Sequence, residues 1–234
     1  MAGIAWFLSE LKTIVISSTE KSSASVIFLH GLGDTAKNQQ NILAPLVEKY
    51  PYIRFIIPQA PITFVSMNYY LPMPAWYNVK GNISDIWSLK EDKKGLKNSL
   101  TKIKKIIQAE IDAGVPAERI LIIGHSQGGA VALAVGLTSE YRLAGVIGLG
   151  TFLPCREEIF KWTSEASKQI PFSLHHSKYD HIIPLNISCQ TANALSDRGY
   201  QVEFKYIYSG GHIFSVEELE EIITQKSNEL LPPL

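Results

Sequence analysis

A pentapeptide of the form Gly-x-Ser-x-Gly offers the clearest chemistry in this sequence. It spans residues 124–128, with Ser126 at its centre, and follows four apolar residues, 120–123, that are typical of a buried strand. The residues from Ala130 onward predict a helix. So tight a turn between strand and helix strains its central residue and holds that side chain out above the sheet edge. We therefore interpret Ser126 as a nucleophile; the alternative is a glycine-rich turn that only packs a helix on a strand, with Ser126 as a cap.

A serine nucleophile needs a base that accepts its proton and an acid that orients the base. Asp180 and His212 each follow a candidate strand, and the chain order Ser, Asp, His is the one expected for α/β-hydrolases. The alternatives are a turn-former or helix cap for Asp180 and a surface loop histidine for His212. The other histidines have separate interpretations: His30 braces a loop, His125 points away from the reaction, and only chain order counts against His175, His176 and His181.

Two backbone N–H groups are expected to stabilise the oxyanion of such a reaction. One belongs to Gln127, the residue after the nucleophile, and the other to Leu32 in the glycine-rich loop 30–33. The alternative for this loop is a turn that cradles a phosphate. It has neither the Lys-Ser/Thr pair of a P-loop nor the spacing G-x-G-x-x-G, which argues against that alternative.

Alternating strands and helices must position these residues. We predict strands over 13–17, 25–29, 54–57, 120–123, 143–149, 171–175 and 202–208, and helices over 41–50, 94–113, 130–139, 188–198 and 216–230. This pattern favours an α/β fold: a mostly parallel central sheet with helices on both faces, in one domain over residues 11–234. Residues 1–10 form an extension of unclear role. The strand ends would bring His30, Ser126, Asp180 and His212 to one edge of the sheet.

Bulk composition excludes several functional classes. The chain has 22 Lys and Arg against 22 Asp and Glu, so its net charge does not favour nucleic acid as a partner. Its two cysteines form neither a disulfide framework nor a metal pattern, which favours a reducing compartment. The apolar run near the N-terminus is too short for a signal peptide or a membrane span. We therefore expect a cytoplasmic protein without a transmembrane segment, and we leave open a transient membrane contact.

The least regular part of the chain, residues 62–95, is rich in proline and aromatic residues. A long irregular loop with large apolar side chains in a compact domain is often functional. The alternative is a surface segment held down by its aromatics. We expect an acyl chain to lie along the apolar residues between Phe64 and Trp87.

Six short motifs occur in one order along the chain: F-L-H-G-L-G-D-T (28–35), P-Q-A-P (58–61), M-P-A-W-Y (73–77), G-H-S-Q-G-G-A (124–130), L-A-G-V (143–146) and G-G-H (210–212). Together they resemble the acyl-protein thioesterases, in the phospholipase/carboxylesterase branch of the α/β-hydrolases. The resemblance covers the chain from about residue 11 to the end. It departs at Asn78, where the family usually has aspartate, and between His175 and Asp180, which we count as one residue longer than the family's His-Gly-x-x-Asp run.

This resemblance implies a serine hydrolase that cleaves acyl esters or thioesters, including those of S-acylated proteins and lysophospholipids. It implies that Ser126, Asp180 and His212 form the catalytic triad and that Leu32 and Gln127 donate to the oxyanion. It also implies that the acyl pocket is lined by Met73, Pro74, Trp76 and Tyr77. No cofactor or metal is expected. Two alternatives stay open: a short-chain carboxylesterase or lysophospholipase without a protein substrate, and a catalytically idle binding module.

Overall fold

A seven-stranded sheet forms the centre of the computed structural model, which describes residues 11–81, 89–208 and 210–234. The strands of this sheet and of two small hairpins are β1 (Thr13–Ile16), β2 (Ala24–Leu29), β3 (Ile53–Pro58), β4 (Ile62–Val65), β5 (Leu71–Pro74), β6 (Val79–Lys80), β7 (Lys90–Glu91), β8 (Ile120–His125), β9 (Gly145–Leu149), β10 (Phe172–Ser177) and β11 (Val202–Ile207). The central sheet has the order β1-β3-β2-β8-β9-β10-β11. Only β1 runs antiparallel to its neighbour. The mostly parallel sheet predicted from the sequence is therefore confirmed.

Helices cover both faces of this sheet, as its buried strands require. They are α1 (Ala36–Leu43), α2 (Leu46–Lys49), α3 (Lys93–Asp112), α4 (Gln127–Leu137), α5 (Leu185–Ser196) and α6 (Val216–Leu230), with short 3₁₀ helices at Ser66–Asn68, Ala117–Arg119, Ile159–Lys161 and Ala166–Gln169. In the described part of the chain, no helix is both long and apolar enough to cross a membrane.

The core has two halves because strand side chains alternate between the faces of the sheet. In β2, Ile27 and Leu29 pack with α3, α4 and α5 on one face. The neighbouring Val26 and Phe28 pack with α1, α2 and α6 on the other. All six residues of β2 are buried, which explains why this strand forms a continuous apolar run in the sequence.

The helix predicted over residues 41–50 was wrong in its limits. Helix α1 begins at Ala36 because Thr35 caps it, accepting a hydrogen bond of 3.2 Å from the Asn38 N–H. The helix stops before Pro45, which has no N–H to continue its hydrogen bonds, and α2 follows as a separate short helix. Helix α4 begins at Gln127, three residues earlier than predicted, while β10 extends two residues beyond its predicted end.

The irregular segment after β3 contains two antiparallel hairpins, β4–β5 and β6–β7. Trp87, one end of the stretch expected to receive an acyl chain, lies outside the described residues, as does the extension 1–10. Five large side chains of the first hairpin are exposed: Ile62, Phe64, Tyr69, Tyr70 and Leu71. These exposed side chains therefore do not anchor the segment, whereas the aromatic side chains of Trp76 and Tyr77 are buried.

Candidate active site

The turn between β8 and α4 holds Ser126 in a strained conformation. Its φ is 53° and its ψ is −121°, values that only a strongly constrained non-glycine residue adopts. The flanking glycines make this turn possible. A Cβ at Gly124 would lie 2.3 Å from the Gly128 carbonyl oxygen, and one at Gly128 would lie 2.2 Å from the Leu29 carbonyl oxygen. The backbone of Ser126 is itself bound, because its N–H donates to Leu149 and its carbonyl accepts from Thr151.

Ser126, His212 and Asp180 are joined by hydrogen bonds. His212 Nε2 lies 2.8 Å from Ser126 Oγ, and His212 Nδ1 lies 2.8 Å from Asp180 Oδ2. Ser126 follows β8, Asp180 follows β10 and His212 follows β11, so the carboxyl ends of three parallel strands bring the three side chains together. Such an arrangement can move a proton from the hydroxyl to the imidazole while the carboxylate fixes the tautomer of the ring.

Asp180 is held as a carboxylate by its neighbours. Its Oδ1 accepts hydrogen bonds of 2.8 Å from the N–H groups of Ile182 and Ile183. Burial alone would raise the pKa of Asp180, but the hydrogen bonds from His212 and from these two N–H groups lower it below its usual value. The group therefore stays charged beside His212 at neutral pH.

The residues before Asp180 need a correction to the spacing that we read from the sequence. His175 and His176 are adjacent in β10 and their side chains lie on opposite faces of the sheet. Only His176 is near the acid: its Nε2 donates to the Ile183 carbonyl at 2.8 Å and lies 3.4 Å from Asp180 Oδ2. Counted from His176, the run to Asp180 has the length of His-x-x-x-Asp, with Ser177 in the place of the family's glycine and no extra residue.

His125 lies against His212, contrary to the expectation that it would point away. Its Nε2 donates to the His212 carbonyl at 2.7 Å, and the two ring centroids are 4.9 Å apart. Burial, and then the neighbouring His212, lower the pKa of His125 to about 4. A neutral ring in this position holds the backbone of His212 without competing for its proton. Sequence alone offered no signal for this contact.

The two expected oxyanion donors lie close to Ser126: Leu32 lines the same cavity, and Gln127 is the next residue in the chain. Among the described residues, neither the Leu32 nor the Gln127 N–H has an acceptor. The Leu32 loop is fixed on both sides, since the Gly33 N–H donates to the Pro74 carbonyl at 2.8 Å and Asp34 binds side chains of α1. The two unpaired donors can stabilise negative charge without first breaking other hydrogen bonds.

His30 braces the Leu32 loop, as expected. Its Nε2 accepts from the Ala60 N–H at 3.1 Å, so the ring proton lies on Nδ1, which donates to Gly31 at 2.8 Å. Burial lowers the pKa of His30 and keeps the ring neutral. His30 is therefore a structural part of the loop and not a rival base.

Of the four residues expected to line an acyl pocket, two are buried in the core. Trp76 and Tyr77 have 2% and 1% of their surface exposed. The Trp76 indole N–H donates to the His30 carbonyl, and the Tyr77 hydroxyl donates to Glu91. Met73 and Pro74 are half-buried in β5, beside Gly33.

The side chain of Gln127 connects the turn to this segment, a role that the sequence analysis missed. Its Oε1 accepts from the Trp76 N–H at 3.0 Å, and its Nε2 donates to the Tyr77 carbonyl at 2.8 Å. Asn78 makes a similar connection, since its side chain exchanges hydrogen bonds with the backbone and side chain of Ser66.

A cavity of about 380 Å³ opens directly on Ser126 and His212. Its walls combine the Leu32 loop, α1 and the start of α6, with apolar contributions from Phe28, Ile42, Ile213, Phe214 and Leu219. The polar Asp34 and Asn38 lie at the same cavity. Ser126 therefore has room for an organic molecule beside it.

The chain is similar in sequence to curated acyl-protein thioesterases. The acyl-protein thioesterase 1 of Cryptococcus neoformans is 34% identical over 195 residues, covering 83% of this chain and 82% of that protein. The acyl-protein thioesterase 1 of Schizosaccharomyces pombe is 36% identical over 187 residues, covering 80% and 82%.

Solved structures give the same picture. Arabidopsis thaliana SOBER1 superposes with a TM-score of 0.82 at 26% identity, covering 88% of this chain and 99% of that one. Zea mays acyl-protein thioesterase 2 superposes with a TM-score of 0.81 at 26% identity, covering 93% and 98%. The phospholipase/carboxylesterase family model matches residues 11–227. The chain therefore belongs to the phospholipase/carboxylesterase family of α/β-hydrolases.

Proposed function

We propose that this chain is a serine hydrolase that cleaves acyl thioesters and esters, with S-acylated proteins as its principal substrates. The observation that carries this proposal is the pair of 2.8 Å hydrogen bonds that join His212 to Ser126 and to Asp180, at the mouth of a cavity. The names of the curated relatives favour a protein thioester as the substrate.

In the proposed mechanism, His212 takes the proton of Ser126 as Oγ attacks the acyl carbon. The Leu32 and Gln127 N–H groups stabilise the tetrahedral oxyanion, and Asp180 stabilises the imidazolium that forms. As the bond to the leaving group breaks, His212 returns the proton to the thiol or alcohol. A water molecule then attacks the acyl-enzyme, again with His212 as base, and releases the acid and Ser126. Residues of the chain and water supply every group in these steps.

The acyl chain has a proposed path beside β5. Met73 and Pro74 adjoin the Leu32 loop and are half-buried, so they are candidates for direct contact. We assign Trp76 and Tyr77 to the support of this wall, because their rings are buried and hydrogen-bonded.

A cytoplasmic location is part of the same proposal. Both cysteines, Cys155 and Cys189, are free thiols, which suits a reducing compartment. A fluorescent fusion of the full chain tests this assignment, and a signal confined to the secretory pathway would contradict it.

The proposed mechanism is tested by hydrolysis of p-nitrophenyl acyl esters of increasing chain length. We expect Ser126→Ala, Asp180→Asn and His212→Ala each to lower kcat by about a thousandfold or more, because triad members act as a unit. Circular dichroism and thermal denaturation should show that the variants stay folded. Wild-type protein that is folded but inert at every chain length would contradict the proposal and favour the idle binding module.

The substrate class needs a second measurement. We expect the wild type to release the acyl group from an S-palmitoyl peptide with a higher kcat/KM than from a lysophospholipid. Labelling of Ser126 by a fluorophosphonate probe supplies the concentration of active enzyme in both assays. A preference for short esters, with no turnover of the S-acyl peptide, would instead identify a carboxylesterase without a protein substrate.

A further inference from the structure

Strand β11 leaves one side of its backbone unpaired at the edge of the central sheet. Its only strand partner in the described chain is β10. The Gln201 carbonyl accepts from the first residue of β10, and the Ile207 carbonyl accepts from the residue after β10. The backbone N–H and carbonyl groups of the odd-numbered residues of β11 therefore point toward β10. In a parallel ladder the alternate residues point the other way. The N–H and carbonyl groups of Val202, Phe204 and Tyr206 therefore face outward along this edge.

The outward edge is available to another chain. Among the described residues, no strand pairs with the outward backbone groups of Val202, Phe204 and Tyr206. Tyr206 is 46% exposed. Sheet edges are commonly protected by charged side chains, and here those charges come from Glu203 and Lys205. They have opposite signs and lie on one face of the strand, where they form an ion pair of 3.2 Å.

These charges match a second copy of the same strand. If two β11 strands run antiparallel with Phe204 opposite Phe204, each Glu203 lies opposite a Lys205, and Val202 lies opposite Tyr206. Opposite charges across antiparallel strands are stabilising, and like charges are destabilising. If one strand is shifted by two residues relative to the other, either Lys205 lies opposite Lys205 or, for the reverse shift, Glu203 lies opposite Glu203. The charges therefore select one register.

The backbone excludes registers shifted by one residue and is compatible with this one. With Phe204 on the two-fold axis, the outward groups of Val202, Phe204 and Tyr206 all fall on hydrogen-bonded pairs of the antiparallel ladder. Glu203 and Lys205 then form the non-hydrogen-bonded pairs, where side chains approach more closely. Such an interface is isologous, since the same patch is used on both copies.

We propose that β11 is a dimerisation strand, through which two copies of this chain join their sheets antiparallel about Phe204. The partner is a second copy because the strand complements itself in both charge and hydrogen bonding. The interface is small, so the dimer should be in reversible equilibrium with the monomer.

Sedimentation velocity over a range of protein concentrations tests this proposal. We expect the wild type to shift from monomer to dimer as concentration rises, and Lys205→Glu to weaken association about tenfold or more, because glutamates then face each other twice. Lys94→Glu, on the exposed surface of α3, is the matched control and should associate like the wild type. A wild type that stays monomeric at every concentration would overturn the proposal, as would a dimer that Lys205→Glu leaves intact.

Cysteine cross-linking tests the register itself. Opposite residues of a hydrogen-bonded pair have Cα atoms about 5.5 Å apart, a distance that a disulfide spans. In a Cys189→Ser background, we expect a mixture of Val202→Cys and Tyr206→Cys chains to form a disulfide-linked dimer on mild oxidation. Neither variant should do so alone, because position 206 faces position 202 of the other copy. Equal cross-linking of each variant with itself would contradict the register.

Discussion

Gln127 has two tasks that belong to different parts of the residue. Its backbone N–H is one of the two proposed oxyanion donors, while its buried side chain binds the backbone of Trp76 and Tyr77. Truncation of the Gln127 side chain leaves its backbone N–H in place. It removes the hydrogen-bond partners of the Trp76 N–H and of the Tyr77 carbonyl, which are both buried. Each buried polar group without a partner costs about 1–3 kcal/mol.

We therefore predict that Gln127→Ala lowers the free energy of unfolding by about 2 kcal/mol or more, on the basis of those two unpaired groups. Its effect on kcat should be far smaller than that of Ser126→Ala. Urea denaturation and ester hydrolysis measure the two quantities. The exposed Gln201→Ala is the control and should unfold like the wild type. If Gln127→Ala also kept wild-type stability, the side chain would not be holding the segment.

At the scale of single residues, candidate site residues were easier to select from the sequence than the directions in which side chains point. Ser126, Asp180 and His212 could be selected because each follows a strand signal and because their chain order is informative. The buried positions of Trp76 and Tyr77 could not be predicted, since an irregular segment has no periodicity from which to infer the direction of an aromatic side chain. The contact of His125 with His212 joins residues far apart in the chain, so no local sequence pattern predicts it.

At the scale of elements, the geometry of the nucleophile depends on how closely α4 meets β2. Gly128 lies directly against the end of β2, where an added Cβ would be 2.2 Å from the Leu29 carbonyl oxygen and 2.4 Å from that of His30. Backbone atoms cannot move aside as the end of a flexible side chain can. Any side chain at this position must therefore push the helix away from the sheet.

We predict that Gly128→Ala moves the turn enough to lower kcat about a hundredfold or more, because the proposed oxyanion donors are displaced from Ser126. Thermal denaturation should show a loss of stability as well. Gly199→Ala is the matched control: its φ of 77° strains an alanine, but no atom lies within 4 Å of the new Cβ. The control should lose some stability and keep its turnover. Wild-type activity in Gly128→Ala would mean that the contact is not needed.

The limits of elements were harder to predict than their existence. Strands such as β2 and β8 are buried on both faces and therefore form unbroken apolar runs. Helix α1 is rich in Gln and Asn, so its apolar spacing was too weak to show where it begins. Helix α4 starts inside the glycine-rich turn, where helix propensity is lowest and packing against the sheet decides the conformation.

At the scale of the whole molecule, buried histidines link stability to pH. His175 is 1% exposed, and its Nε2 bonds to Ser173. Burial, and then the charge of Lys205, lower the pKa of His175 to about 4, against the opposing effect of Glu203. Burial also lowers the pKa of His30, His125 and His176. Between pH 6.5 and 4, the unfolded chain therefore binds protons at His125 and His175 that the folded chain does not.

We predict that the free energy of unfolding is highest above about pH 6.5 and falls as the pH is lowered toward 4, by up to about 1.4 kcal/mol per pH unit for each such histidine. Denaturant titrations at several pH values measure this slope. The variant His175→Gln keeps a hydrogen-bond donor for Ser173, and we expect it to reduce the slope of unfolding free energy against pH. The exposed His181→Gln is the control, for which we expect the wild-type slope. An unchanged slope in His175→Gln would contradict the assignment.

The order of strands in the sheet also has a consequence for how the enzyme reaches its working state. β2 lies beside β8, and His212, which bonds to Ser126, is 86 residues further along the chain. Contacts between such distant segments require the closure of long loops, which makes folding slow. Local helices can form early in refolding, whereas the hydroxyl, the imidazole and the carboxylate meet only when the parallel sheet is complete. Recovery of hydrolysis after dilution from denaturant should therefore lag behind recovery of helical circular dichroism.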